Sequence, residues 1–191
     1  MDEKLYAIGG LVSNPSYSHS WDTFDPLTNC WRSQRNDVII SDVEDSVVLD
    51  GKIYVRFSRH PVTPDVFAIV YEPSSGTWQH ADADMVSGWT GPAVVVDDTL
   101  YVLDQTLGTR LMMWHKERLQ WIPVGKLSPR LTRPPCQLVA VGRRIFIVGK
   151  GLSTVVVDVG DLGNEGQVMK ASSIPASLSD FTVITCKCLS I

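Results

Sequence analysis

The sequence of this 191-residue chain predicts an all-β fold, a β-propeller of four-stranded antiparallel blades stacked radially about an axis. Three observations predict it. Trp31, Trp78 and Trp121 fall 47 and 43 residues apart. Leu5-Tyr6, Ile53-Tyr54, Leu100-Tyr101 and Ile145-Phe146 keep the same beat, at 48, 47 and 45 residues. Between these markers the apolar residues come in short β-branched runs broken by turn residues, with no helical period.

The third unit shows the pattern most clearly. Pro92 to Val96 is an apolar run suited to a buried inner strand, Asp97-Asp98 a tight turn, and Thr99 to Leu103 a second strand. Gln105 to Thr109 is a loop, Arg110 to His115 a third strand, Lys116 to Leu119 a turn, and Gln120 to Val124 a fourth strand. The second unit follows the same order: Asp45 to Leu49, the hairpin signal Asp50-Gly51, Lys52 to Phe57, Val66 to Tyr71, the turn Glu72 to Gly76, and Thr77 to His80. In the first unit Asp25 to Asn29 is the turn before Cys30-Trp31. The repeated tryptophans are expected to pack between neighbouring blades. The fourth unit is degraded. Gln137 to Val141, Arg144 to Val148 and Ser153 to Val159 still read as strands, an outer strand is expected near Val168-Met169-Lys170, and the tryptophan is missing. The units are thus approximately 1–40, 41–87, 88–131 and 132–176, with a partial inner strand in 177–191.

Hydrophobic content of 44% and charge of 20% are ordinary for a folded domain. A net charge of −4 argues against nucleic acid or anionic membrane as a partner. No apolar run approaches the roughly 18 residues of a membrane span, and Met1 to Lys4 lacks the apolar core of a secretory leader. The expected location is intracellular, cytoplasmic or nuclear. Cys30, Cys136, Cys186 and Cys188 form no evenly spaced disulfide framework. Cys186-x-Cys188 reads as two small apolar side chains on one strand face rather than a metal pair.

The assembled residues resemble a kelch repeat: an aromatic before a Gly-Gly that follows the second strand, then a Tyr-Asp-Pro turn and Trp. Tyr6 to Gly9-Gly10, with Phe24-Asp25-Pro26 to Trp31, is the best copy, and Tyr54 with Tyr71-Glu72-Pro73 to Trp78 the next. Tyr101 with Trp121 marks the third. Phe57-Ser58, Asp104-Gln105 and Gly149-Lys150 replace the Gly-Gly in later units. This decay resembles the propellers of plant F-box/kelch-repeat proteins. The resemblance implies a protein-binding propeller serving as the substrate arm of an SCF-type ubiquitin ligase, with an adaptor as partner only where an F-box lies upstream. Met1 falls at a hairpin tip, so a part of a larger propeller is expected. In the competing arrangement Phe181 to Cys188 supplies the missing inner strand and closes four blades. A metal-dependent kelch enzyme, akin to specifier proteins or oxidases, and a non-functional fragment are the alternatives in function.

No catalytic constellation, metal or cofactor is expected. His19, His60, His80 and His115 are scattered, and no glutamate has a histidine or aspartate four residues on. Gly-rich phosphate loops and Gly-x-Ser-x-Gly are absent. Recognition is expected on the loops joining second to third strands and on those between blades, which share one face. Arg35, Arg59, His60, Trp89, Arg130 and Arg133 are the candidate partner-binding residues there. Trp89 is out of phase with the repeat and is expected at the mouth of the central channel. Its replacement by alanine would then weaken capture and leave the melting temperature unchanged.

Overall fold

A computed structural model describes residues 4–9, 20–35, 43–58, 66–160 and 170–174. The chain divides into two compact units, Met1–Ala81 and Asp82–Ile191. In the first unit β1 (Leu5–Ala7), β2 (Ser20–Asp25) and β3 (Cys30–Arg35) form a three-stranded sheet. Beside them in sequence, β4 (Val43–Leu49), β5 (Lys52–Ser58), β6 (Val66–Glu72) and β7 (Thr77–His80) form a four-stranded one. The second unit opens with helix α1 (Ala83–Gly88). Its first sheet is β8 (Ala93–Val96), β9 (Thr99–Asp104), β10 (Arg110–His115) and β11 (Gln120–Lys126). Its second is β12 (Gln137–Val141), β13 (Arg144–Val148), β14 (Thr154–Asp158) and β15 (Lys170–Ile174). Each sheet runs in chain order and every pairing is antiparallel, the up-and-down pattern of a propeller blade.

Turn chemistry sets the registers. Asp50 and Gly51 both have positive φ, 52° and 71°, as do Asp97 and Asp98, at 47° and 54°. Two successive left-handed residues make the hairpin turn whose twist matches the strands it joins. The longer turns before the repeated tryptophans share another device. Asn29, Gly76 and Leu119 each sit two residues before the tryptophan with φ of 53°, 68° and 50°. That placement sets an aromatic on the preceding strand directly opposite each tryptophan. Phe24 pairs with Trp31, Tyr71 with Trp78 and Trp114 with Trp121, at ring separations of 5.1, 5.0 and 5.4 Å. The repeat unit is therefore a turn plus a cross-strand aromatic pair.

Alternation along the strands builds the cores. In the second unit Leu103, Leu111, Ile145, Ile147 and Val157 are fully buried in one cluster that spans both of its sheets. In the first unit Trp21, Ile53, Val55, Phe57, Ile69 and Tyr71 form another. Trp21 stands at its centre, 4.5 Å from Tyr71 and 5.7 Å from Trp78 in edge-on geometry.

Several expectations are corrected. Trp31 does not pack between blades; it is 55% exposed and touches only Phe24 among the described aromatic rings. Trp121 packs on α1, which leads into its own sheet, and among the described rings Trp78 bridges two sheets through Trp21. The connection from Asp82, one of those between blades where a loop is expected, forms a helical turn. Asp82 caps it by accepting from the Met85 amide at 3.0 Å, and the apolar Met85 and Trp89 are buried. The outermost strand of the last sheet is Lys170–Ile174, solvent-exposed throughout, while Val168 and Met169 lie outside the described residues. Strand β11 continues past Pro123 to Lys126, with a bulge in its pairing between Leu111 and Met112. As the edge strand of its sheet it accepts a proline that cannot donate.

Candidate interaction face

Because each strand reverses the chain, segments 105–109, 127–136 and 149–153 all emerge at one end of the sheets of the second unit, as the strand order predicted. The side chains here fasten them together. Gln105 Nε2 donates to the Thr132 carbonyl at 2.9 Å and to Cys136 Sγ at 3.7 Å. Ser153 Oγ donates to the Leu131 carbonyl at 2.7 Å. The Lys150 amide donates to the Arg133 carbonyl at 3.1 Å. Gly149 lies so close to Arg133 and Leu131 that a Cβ there would press on their backbone. Thr132 and Ser153 are buried, and their hydroxyls are bonded to the Ser128 and Leu131 carbonyls. Burial pushes the Cys136 thiol up, opposed by the Gln105 hydrogen bond. A buried, protonated thiol is packing rather than nucleophile.

Asp104, at the end of β9, anchors this end of the sheet. Its carboxylate accepts from the Thr106 amide at 3.0 Å, the Thr106 hydroxyl at 2.6 Å and the Thr90 hydroxyl at 3.3 Å, and pairs with Arg110 at 2.6 Å. Burial alone would push its pKa up, but the Thr106 bonds and the Arg110 guanidinium outweigh it and hold the carboxyl below its usual value. With the ion paired and bonded, Asp104 orders the 105–109 loop. Among the described residues no group of three or more His, Cys, Asp or Glu is placed to hold a metal ion.

Arg130 and Arg133 are exposed on the 127–136 segment, as loop residues of this face. Arg35 ends β3 opposite Ser20, and Arg59 and His60 lie outside the described residues. Trp89 is corrected: it is 0% exposed, capping α1 with its amide on the Val86 carbonyl at 3.1 Å, and so is core rather than channel rim. The helical turn folds the Ser87–Gly91 stretch inward. Sequence reading also passed over Asp104 with Gln105, although it singled out that pair as the replacement for Gly-Gly. The signal was there: a charged residue closing an apolar strand needs a partner.

The first unit holds two clefts along β1. One, of about 280 Å³, is mainly apolar, with Leu5, Ile8, Val43 and Val48 among its walls. The other, of about 190 Å³, is more polar, with Lys4, Asp25, Arg32 and Gln34. Arg56 of β5 is buried and pairs with Glu44 at 3.2 Å. Burial pushes its guanidinium down, opposed by the Glu44 and Asp45 carboxylates.

The Kelch motif family matches residues 1–36. The chain carries a kelch motif. Its strand-only sheets of three and four strands are those of a partial kelch β-propeller. It is 46% identical over 194 aligned residues to the F-box/kelch-repeat protein SKIP4 of Arabidopsis thaliana, covering 100% of this chain and 53% of that protein. It is 25% identical to the F-box protein AFR of the same plant, over 97% of this chain and 52% of that protein. The chain thus spans about half the length of the curated relatives it matches.

Proposed function

We propose that this module captures protein partners for ubiquitination, as the substrate-recognition propeller of an SCF-type E3 ligase. One observation carries the reading: the loops on one face of the second unit are fastened to one another and to a rigid sheet while Arg130 and Arg133 stay exposed. A stiff platform with exposed guanidinium groups binds a partner without first ordering itself. The F-box in the names of the related proteins supports the ligase context. The units at approximately 1–40, 41–87, 88–131 and 132–176 serve as blades. No catalytic role is assigned to any residue.

Full-length protein expressed from the complete transcript is expected to co-purify with the ligase adaptor. Where an F-box lies upstream, its removal should abolish that association and leave partner capture intact. Full-length protein that never binds adaptor overturns the ligase role. Stoichiometric iron or copper in the purified protein would overturn the non-enzymatic reading.

A further inference from the structure

The charge on the recognition face is the reverse of that on the whole chain. The protein has 21 acidic against 17 basic side chains. The end of β11 and segments 105–109, 127–136 and 149–153 carry Lys126, Arg130, Arg133 and Lys150 and no carboxylate. All four cations are exposed, and no ion pair among the described residues engages them. Asp104, at the end of β9 where the 105–109 loop begins, is 6% exposed and already committed to Arg110 and Thr106. Asp82 and Asp84 lie on the connection into β8: Asp82 caps α1, and the Asp84 carbonyl accepts from Trp121 near the start of β11.

Two apolar side chains stand among the cations. Leu107 is 85% exposed and Leu152 42%. Leu107 buries little on folding and offers apolar surface on the same loops as the arginines, the residue type enriched at interface centres.

We infer that this face takes an acidic peptide segment of the partner. Asp or Glu side chains of the peptide meet Arg130, Arg133 and Lys150, and an apolar side chain packs on Leu107. Guanidinium forks match carboxylates bidentately. The chain's net charge of −4 disfavours a long polyanion such as RNA. This inference rests on the protein-recognition reading and adds the partner's chemistry.

The test is an array of random synthetic decapeptides probed with the labelled intact chain, followed by fluorescence titration of the best binders. Bound peptides should be enriched in Asp and Glu. Their affinity should fall about tenfold or more in the double variant Arg130→Glu with Arg133→Glu, at an unchanged melting temperature. It should also weaken as salt rises. Lys150→Glu, one segment away, should act in the same direction and guards against a folding artefact. Neutral or basic peptides bound equally well, or acidic peptides indifferent to both variants, overturn the acidic preference and leave a recognition module. An array that binds nothing overturns both readings.

Discussion

The sheet around Trp31 and the sheet around Trp121 start from the same local instructions and finish differently. Both have a turn with a left-handed residue two positions earlier, and both set the tryptophan opposite an aromatic on the preceding strand. Yet Trp31 is 55% exposed. Trp121 is partly covered by α1, and its indole Nε1 donates to the Asp84 and Met85 carbonyls, both at 3.1 Å. Gly88 is moulded to that ring, since a Cβ there would collide with it. The difference teaches that the repeat encodes a cross-strand pair, whereas burial of that pair depends on what the neighbouring connection happens to supply.

The largest expected effect comes from the residue that lets α1 dock. Trp89→Ala should cost about 3–5 kcal/mol in denaturant unfolding, because a fully buried ring leaves a cavity. A loss under about 1 kcal/mol would return Trp89 to the surface.

Asp104→Asn is next, at about 1–3 kcal/mol near neutral pH, since it strips the charge from a buried hydrogen-bonded pair. The folded-state pKa of Asp104 lies below the ordinary 3.8, so its contribution is present above that pH and lost as pH falls through the lowered value. The variant's unfolding curve should therefore be flatter in acid than the parent's. Equal acid sensitivity would show that Arg110 and Thr106 do not hold the carboxylate.

Trp121→Phe keeps the ring pair with Trp114 and deletes the indole donor, for a loss of about 1 kcal/mol. The smallest effect is expected at Trp31→Ala, about 0.5 kcal/mol or less beyond the pair with Phe24. Reversal of the order of the Trp121 and Trp31 effects, measured by thermal unfolding, would erase the contrast between the two sheets.

The sheets themselves were legible. Arg110–His115 and Thr77–His80 fall where their apolar alternation placed them, and Asp97-Asp98 turns as a hairpin because short polar residues tolerate left-handed backbone. Trp21 was not legible as a core residue. It lies outside the repeat, and only the third dimension brings it onto Tyr71 and Trp78. Trp89 was misplaced for the converse reason: its Gly-flanked setting suggested an exposed loop, and a one-turn helix buries it. For the candidate face, Arg130 and Arg133 could be picked from composition and strand order, while the partnership of Gln105 with Thr132 spans 27 residues and leaves no local trace.

By itself, then, the sequence determined the blade: its strands, its turns and the aromatic pair set across the last two strands, all of them short-range consequences of backbone geometry and alternation. Tertiary structure alone decided which tryptophans are covered, which carboxylate is neutralised and which cations stay exposed. Burial and charge pairing depend on neighbours distant in the chain, and local residue preferences carry no record of them.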